Sequence, residues 1–172
     1  MPKEFRILIL NATPLIYLCR IGRSDFFSTF KETKYTTPKV REEVIVKGKK
    51  LGAPDALVIE DLIKDNIIKV RNPKKDDFIE TLSQVPGLHG AEIQVIALAK
   101  ELKAIAILDD NVARKTAKIF NVEVHGTLYL LLRIYYRGII SREEFKKIID
   151  EMISLGWRLS VSEYLKILKE IQ

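Results

Sequence analysis

Apolar positions along the chain fall into two kinds of segment: short unbroken runs, and longer stretches with helical spacing. Residues 6–10 (Arg-Ile-Leu-Ile-Leu) are such a run and read as a buried strand. Asn-Ala-Thr-Pro follows, where Thr13 can cap a helix and Pro14 can take its first position; that helix should run to about Arg20 and stop at Gly22. The device recurs at Tyr-Thr-Thr-Pro, 35–38, as a short strand, a Thr cap and a helix through about Val46, with a basic turn or loop over 47–52. Beyond it, 55–64 reads as helix, 67–71 as strand and 76–83 as a short helix. The clearest unit comes next. Val95, Leu98, Ala99 and Leu102 stand at i, i+3, i+4 and i+7 in a helix over 91–102, and the wholly apolar 104–108 is a strand suited to a sheet covered on both faces. A helix over 112–120, a short strand over 122–124 and a helix over 127–136, ended by Gly138, continue the alternation. Ser141 with Glu144, and Ser160 with Glu163, have the spacing of capping boxes and open two final helices.

This order of elements predicts a three-layer α/β/α sandwich with a mainly parallel sheet of four to five strands. The expected organisation is one domain over residues 1–172, with the helices of 141–172 packed on it. No apolar run reaches the ~18 residues of a membrane span. The N-terminal lead carries an acid and lacks the long apolar core of a signal peptide. Cys19 is a lone cysteine, so it cannot form an internal disulfide, and two histidines do not make a Cys/His zinc set. A cytoplasmic protein is the expectation. Lys and Arg number 29 against 23 Asp and Glu, a formal charge of +6, which favours polyanions and nucleic acid first. A Lys/Glu-rich surface of the heat-adapted kind reads the same way.

In parallel sheets the site lies beyond the carboxyl ends of the strands, so the residues that follow them carry the chemistry. Asn11 follows the first strand; Asp109 and Asp110 follow the apolar strand of 104–108. Adjacent carboxylates repel unless a cation, a donor or a proton intervenes, and a hard divalent ion such as Mg²⁺ satisfies them. One of the pair can instead cap the next helix while the other faces the site. Glu92 shares a helix face with Val95, Ile96 and Ala99, which turns its carboxylate inward, where an acid needs a partner. The helix dipole also accounts for an acid in a first turn. Glu43 borders the Val40/Val44 stripe; with Glu42 it equally reads as a solvated helix face. Lys47, Lys49 and Lys50, with Lys39 and Arg41 nearby, form the densest basic cluster, suited to a phosphate backbone or to a solvated loop. Arg114, four residues after Asp110, can pair with it or meet a phosphate. His89 and His125 each precede a glycine and read as incidental loop histidines. No phosphate loop, dinucleotide fingerprint or nucleophile elbow is present.

Leu-Asn-Ala-Thr-Pro-Leu-Ile-Tyr-Leu at 10–18, Pro38 with Glu43-Val, Gly-Leu-His-Gly-Ala-Glu-Ile at 87–93 and Ile-Leu-Asp-Asp-Asn-Val-Ala-Arg at 107–114 together resemble the PIN-domain nuclease superfamily, in particular a prokaryotic PIN-like branch. A Gly126-Thr127 element adds to the set, and the likeness runs from about Leu8 to Leu168. The resemblance implies a Mg²⁺- or Mn²⁺-dependent ribonuclease acting on RNA, often the toxin of a VapC-like toxin–antitoxin pair with a protein antitoxin, and commonly a homodimer. It also implies a catalytic set of Asn11, Glu43, Glu92 and Asp110, with Glu92, Asp110, Asp109 and Asn11 toward the metal. Lys47, Lys49, Lys50 and Arg114 are then the expected contacts to nucleic acid. Asn11 stands where the family usually has an Asp, so an amide replaces a charge. The alternative is a catalytically weakened PIN-like module that binds RNA or protein.

Overall fold

A computed structural model describes residues 6–171. Chain order within it is β1 (Ile7–Leu10), α1 (Ala12–Arg20), α2 (Asp25–Thr29), β2 (Thr33–Thr36) and α3 (Pro38–Arg41). From α3 the chain continues without a break through a π-helical segment (Glu42–Lys47) into α4 (Gly48–Lys50), and then come α5 (Asp55–Lys64), β3 (Lys69–Val70) and α6 (Asp77–Ser83). The second half holds α7 (Gly90–Leu102), β4 (Ile105–Ile107), α8 (Asn111–Ile119), β5 (Val124–His125), α9 (Thr127–Tyr136), α10 (Arg142–Ser154) and α11 (Val161–Glu170).

Among the described residues five strands form one parallel sheet in the order β3-β2-β1-β4-β5. Its register places Ile9 between Tyr35 of β2 and Ala106 of β4. Leu8, Ile9 and Leu10 are fully buried, as are Ala106 and Ile107, which is why these strands read as unbroken apolar runs. The chain moves outward from β1 to β2 and β3, then returns to the opposite side of β1 for β4 and β5. The connection order therefore reverses between β1 and β4, and a crevice at their carboxyl ends follows from the topology.

Local signals account for most helix ends. Thr37 Oγ1 accepts the Val40 N–H, with Pro38 at the first position of α3. Asp76 caps α6 and Asp110 caps α8, and Ser141 and Ser160 each close a capping box with the Glu three residues on. Three expectations need correction. Asn11, not Thr13, is the residue before α1, and Pro14 sits in the third helical position, where its missing N–H is still one of the helix's unpaired donors. The basic stretch after Val46 is not a loop up to 50, because the helix runs on to Lys50 before Leu51 and Gly52 turn. Finally, α2 has no counterpart in the sequence pattern: two adjacent phenylalanines, Phe26 and Phe27, show no helical period in five residues, yet both are fully buried. The third and fifth strands are also shorter or shifted, at 69–70 and 124–125.

Compactness divides the chain after Tyr129. The first unit contains the whole sheet. In the second, Phe145, Ile148, Ile149 and Met152 form the buried face of α10. Phe145 lies against Tyr135 with ring centres 5.5 Å apart, and the Tyr135 hydroxyl donates to the Ile171 carbonyl at 3.1 Å. No helix of the described residues is long and apolar enough to cross a membrane.

Candidate active site at the switch point

Four elements deliver side chains to the carboxyl edge of β1 and β4. Asn11 leaves β1 in an extended conformation, and its backbone N–H donates to the Ile107 carbonyl at 3.2 Å, which ties it to the end of β4. On the other side the Thr36 hydroxyl donates to the Leu10 carbonyl at 2.8 Å and closes β2 onto β1. Asn11 is 8% exposed, and its side-chain carbonyl oxygen, Oδ1, is buried with no hydrogen-bond partner. Leaving a buried acceptor unpaired costs on the order of 1–3 kcal/mol, so it marks a place where a donor or a cation belongs.

Glu92 is the third residue of α7 and is half-buried. Its Oε2 accepts the His89 N–H at 2.8 Å. Burial pushes its carboxyl group above the usual range, the His89 hydrogen bond opposes that, and the negative charges of Asp110 and Glu43 push it up again. Residues as far apart in sequence as 43, 92 and 110 thus act on one another through space. Glu92 is half-buried and folds back onto the start of its own helix, where it stays in the field of Asp110.

The two aspartates part company. Asp110 is exposed, and one oxygen accepts the Ala113 N–H at 2.9 Å at the start of α8. Asp109 engages both oxygens with Thr127: Oδ1 accepts the backbone N–H at 2.7 Å and Oδ2 the hydroxyl at 2.6 Å. A Cβ at Gly126 would lie 2.6 Å from Asp109 Oδ1, so glycine is what admits this carboxylate. Both acids therefore act as caps, Asp109 with its whole carboxylate and Asp110 with a single oxygen.

Glu43 is exposed on the π-helical segment, and its contribution is the charge felt at Glu92. Of the basic residues, Lys49 pairs with Glu60 at 2.7 Å, whereas Lys47 and Lys50 are exposed without an ion pair among the described residues. Arg114 is half-buried and makes no ion pair with Asp110. Its guanidinium lies beside Gly126, where a Cβ would come within 3.6 Å of it.

Among the described residues no three His, Cys, Asp or Glu side chains are close enough to hold a metal ion by themselves. The donor chemistry nevertheless suits a hard ion: an orphaned amide oxygen, a carboxylate strained by burial and like charge, and a carboxylate with a free oxygen. Mg²⁺ takes one or two carboxylates and keeps several waters, so a loose set fits it. Sequence reasoning missed His89 as the residue that Glu92 holds through its backbone; His-Gly-Ala-Glu, with an acid three residues on, was the signal available.

A five-stranded parallel α/β fold with carboxylates near its switch point fits a PIN domain, and the family match shows that class. The family described as DUF3368, PIN domain, matches residues 7–172, and the chain belongs to it, within the PIN-domain nuclease superfamily. A segment of 100 residues is 31% identical to Endoribonuclease Nob1 of Methanocaldococcus jannaschii, covering 55% of this chain and 46% of that protein, so the chain spans less than half the relative's length. The crystal structure of PAE2754 from Pyrobaculum aerophilum superposes with a TM-score of 0.56 at 15% identity, covering 76% of this chain and 98% of that one, which is likeness of fold.

Proposed function

We propose that this protein is a divalent-metal-dependent endoribonuclease that hydrolyses RNA phosphodiester bonds at the carboxyl edge of β1 and β4. The observation that carries the reading is the half-buried Glu92, raised by burial and by the fields of Asp110 and Glu43, at an edge where the Asn11 amide oxygen has no partner. Membership of a nuclease superfamily and the likeness to an endoribonuclease support it. Glu92, Asp110 and Asn11 would hold Mg²⁺ or Mn²⁺, with Glu43 acting on the ion through its charge. When bound, such an ion supplies Lewis acidity and charge neutralisation at the phosphodiester. The chain's own part would be positional: the His89 hydrogen bond restrains Glu92, the Ala113 hydrogen bond restrains Asp110, and the bond to the Ile107 carbonyl ties Asn11 to the end of β4. Asp109 contributes by capping α9 and is at most an outer neighbour of the ion. Lys47, Lys50 and Arg114 meet the RNA backbone, and Lys49 adds to the field from its pair with Glu60. The experiment is cleavage of mixed RNAs with and without chelator, using Asp110→Asn and Glu92→Gln. Both variants and the chelator should abolish cleavage, and activity that survives them overturns the assignment.

A second reading rests on Asn11 alone. An amide carries no charge, so the chain would be an RNA- or protein-binding member of the family with reduced turnover. Asn11→Asp separates the two: a large gain in Mg²⁺ affinity and cleavage identifies the natural site as weakened, and no gain identifies the amide as sufficient. The family resemblance further supports a toxin role, with an antitoxin partner and a homodimer. Light scattering of the purified protein tests the dimer, and growth arrest on expression, relieved by a neighbouring gene product, tests the pairing.

A further inference from the structure

The structure points to one more residue at this mouth, Lys39, whose seat is made by a missing side chain. Lys39 is the second residue of α3, at the carboxyl end of β2, and its backbone N–H donates to Gln94 Oε1 at 2.9 Å, which docks α3 against α7. From there its side chain crosses the first residue of α7. A Cβ built on Gly90 would stand 2.7 Å from the Lys39 ammonium nitrogen, 3.0 Å from Cδ and 3.4 Å from Cε. Only glycine leaves that path open.

Among the described residues the Lys39 ammonium makes no hydrogen bond or ion pair that explains its position. Lys39 forms no ion pair among the described residues, although Glu43 follows it by one helical turn and Glu92 is two residues beyond Gly90. It is also held at the N-terminal end of a helix, the end whose dipole disfavours a cation. Lys39 is exposed, so its ammonium stays open to solvent. Laid across a glycine at the start of α7, with no ion pair among the described residues, it is placed to meet an anion that arrives from outside.

We infer that Lys39 is a substrate-binding residue that contacts a backbone phosphate of single-stranded RNA next to the acidic edge, and that Gly90 is its positioning residue. The inference rests on the ribonuclease reading for its substrate but not for its test. Acids alone at a site repel a polyanion, and a cation on the neighbouring helix, across the first residue of α7, offsets this.

The test is binding of a short fluorescein-labelled oligoribonucleotide of mixed sequence, measured by anisotropy in EDTA over a NaCl series. Lys39→Met should weaken binding several-fold and lower the slope of log affinity against log salt by about 0.7, the share of one phosphate on a single strand. Lys39→Arg should restore most of both. Gly90→Ala should reproduce the loss with Lys39 intact and the melting midpoint unchanged or raised, because alanine favours the helix and only a flexible lysine must move. Wild-type affinity and slope in Lys39→Met would overturn the inference, as would a Gly90→Ala protein that binds like wild type. If the natural protein binds the RNA with the predicted slopes but does not cleave it in Mg²⁺ or Mn²⁺, the phosphate contact stands and the ribonuclease reading falls. If it binds no RNA, both fall.

Discussion

Glu92 is a side chain whose charged form costs stability in the folded protein. Its carboxyl group is raised by burial first, and then by Asp110 and Glu43. A folded-state value above the ordinary one means that the folded chain binds more protons than the unfolded chain. In metal-free protein, stability therefore falls as pH rises from the usual carboxylate range through the raised value, and the loss is complete above it. Glu92→Gln removes this penalty while its amide oxygen can still accept the His89 N–H. The melting midpoint in EDTA at pH 7 should be equal to or a few degrees above wild type, the difference should vanish by about pH 4, and cleavage should be lost. A fall in midpoint at pH 7 contradicts the assignment. Cys19 makes a complementary case. Burial pushes its thiol up to about 12, with the Asp55 charge adding to it. Roughly one molecule in ten thousand then carries a thiolate at pH 8, so iodoacetamide should label Cys19 only after unfolding, and rapid labelling of native protein would contradict its burial.

At the scale of elements, two polar contacts join segments that apolar packing alone would leave less exactly aligned. Arg20 at the end of α1 gives two hydrogen bonds, at 2.9 and 3.0 Å, to the same oxygen of Asp55, the first residue of α5, whose side chain is 2% exposed. Arg20→Met strands that carboxylate, and urea titration should show a loss of up to about 3 kcal/mol. Asp109 with Thr127 is the second contact, linking the end of β4 to the first turn of α9 across Gly126. Gly126→Ala drives a methyl group into Asp109 and should remove the cap, with a cost of about 1–2 kcal/mol read as a lowered urea midpoint. Thr127→Val should cost less, since the backbone N–H bond survives.

For the whole molecule the relevant quantity is field rather than contact. The +6 charge is spread over the chain, while the charges of Glu43 and Asp110 are felt at Glu92, so on the ribonuclease reading approach by RNA would depend on basic groups outside the acids. Lys47 and Lys50 are exposed and form no ion pair among the described residues, so their replacement disturbs none there. Lys47→Glu with Lys50→Glu should leave the melting midpoint within a degree or two, weaken RNA binding at low salt, and lose most of that effect near 0.5 M NaCl, where the screening length shrinks to roughly 4–5 Å. An equal loss at all salt concentrations would place these lysines outside the RNA path.

Much of the molecule was legible in the residues one after another. The alternation of apolar runs with helical stripes carried the α/β class, since a strand buried on both faces has no polar positions and a helix has one apolar stripe. Thr37, Ser141 and Ser160 marked helix starts because a cap acts over three residues, and Glu92 is half-buried on a face set by the helical period. The strand order, the reversal between β1 and β4, and the meeting of residues 43, 92 and 110 arose only in the tertiary structure. So did the division of labour between neighbouring aspartates, which no local rule separates: Asp109 found its partner 18 residues on, and Asp110 found one within its own helix. Gly90 was likewise unreadable, because its reason is a lysine side chain from another helix. Periodicity and capping are short-range effects written into consecutive residues, whereas a site is made by hydrogen bonds and fields between segments whose proximity exists only once the apolar surfaces have closed.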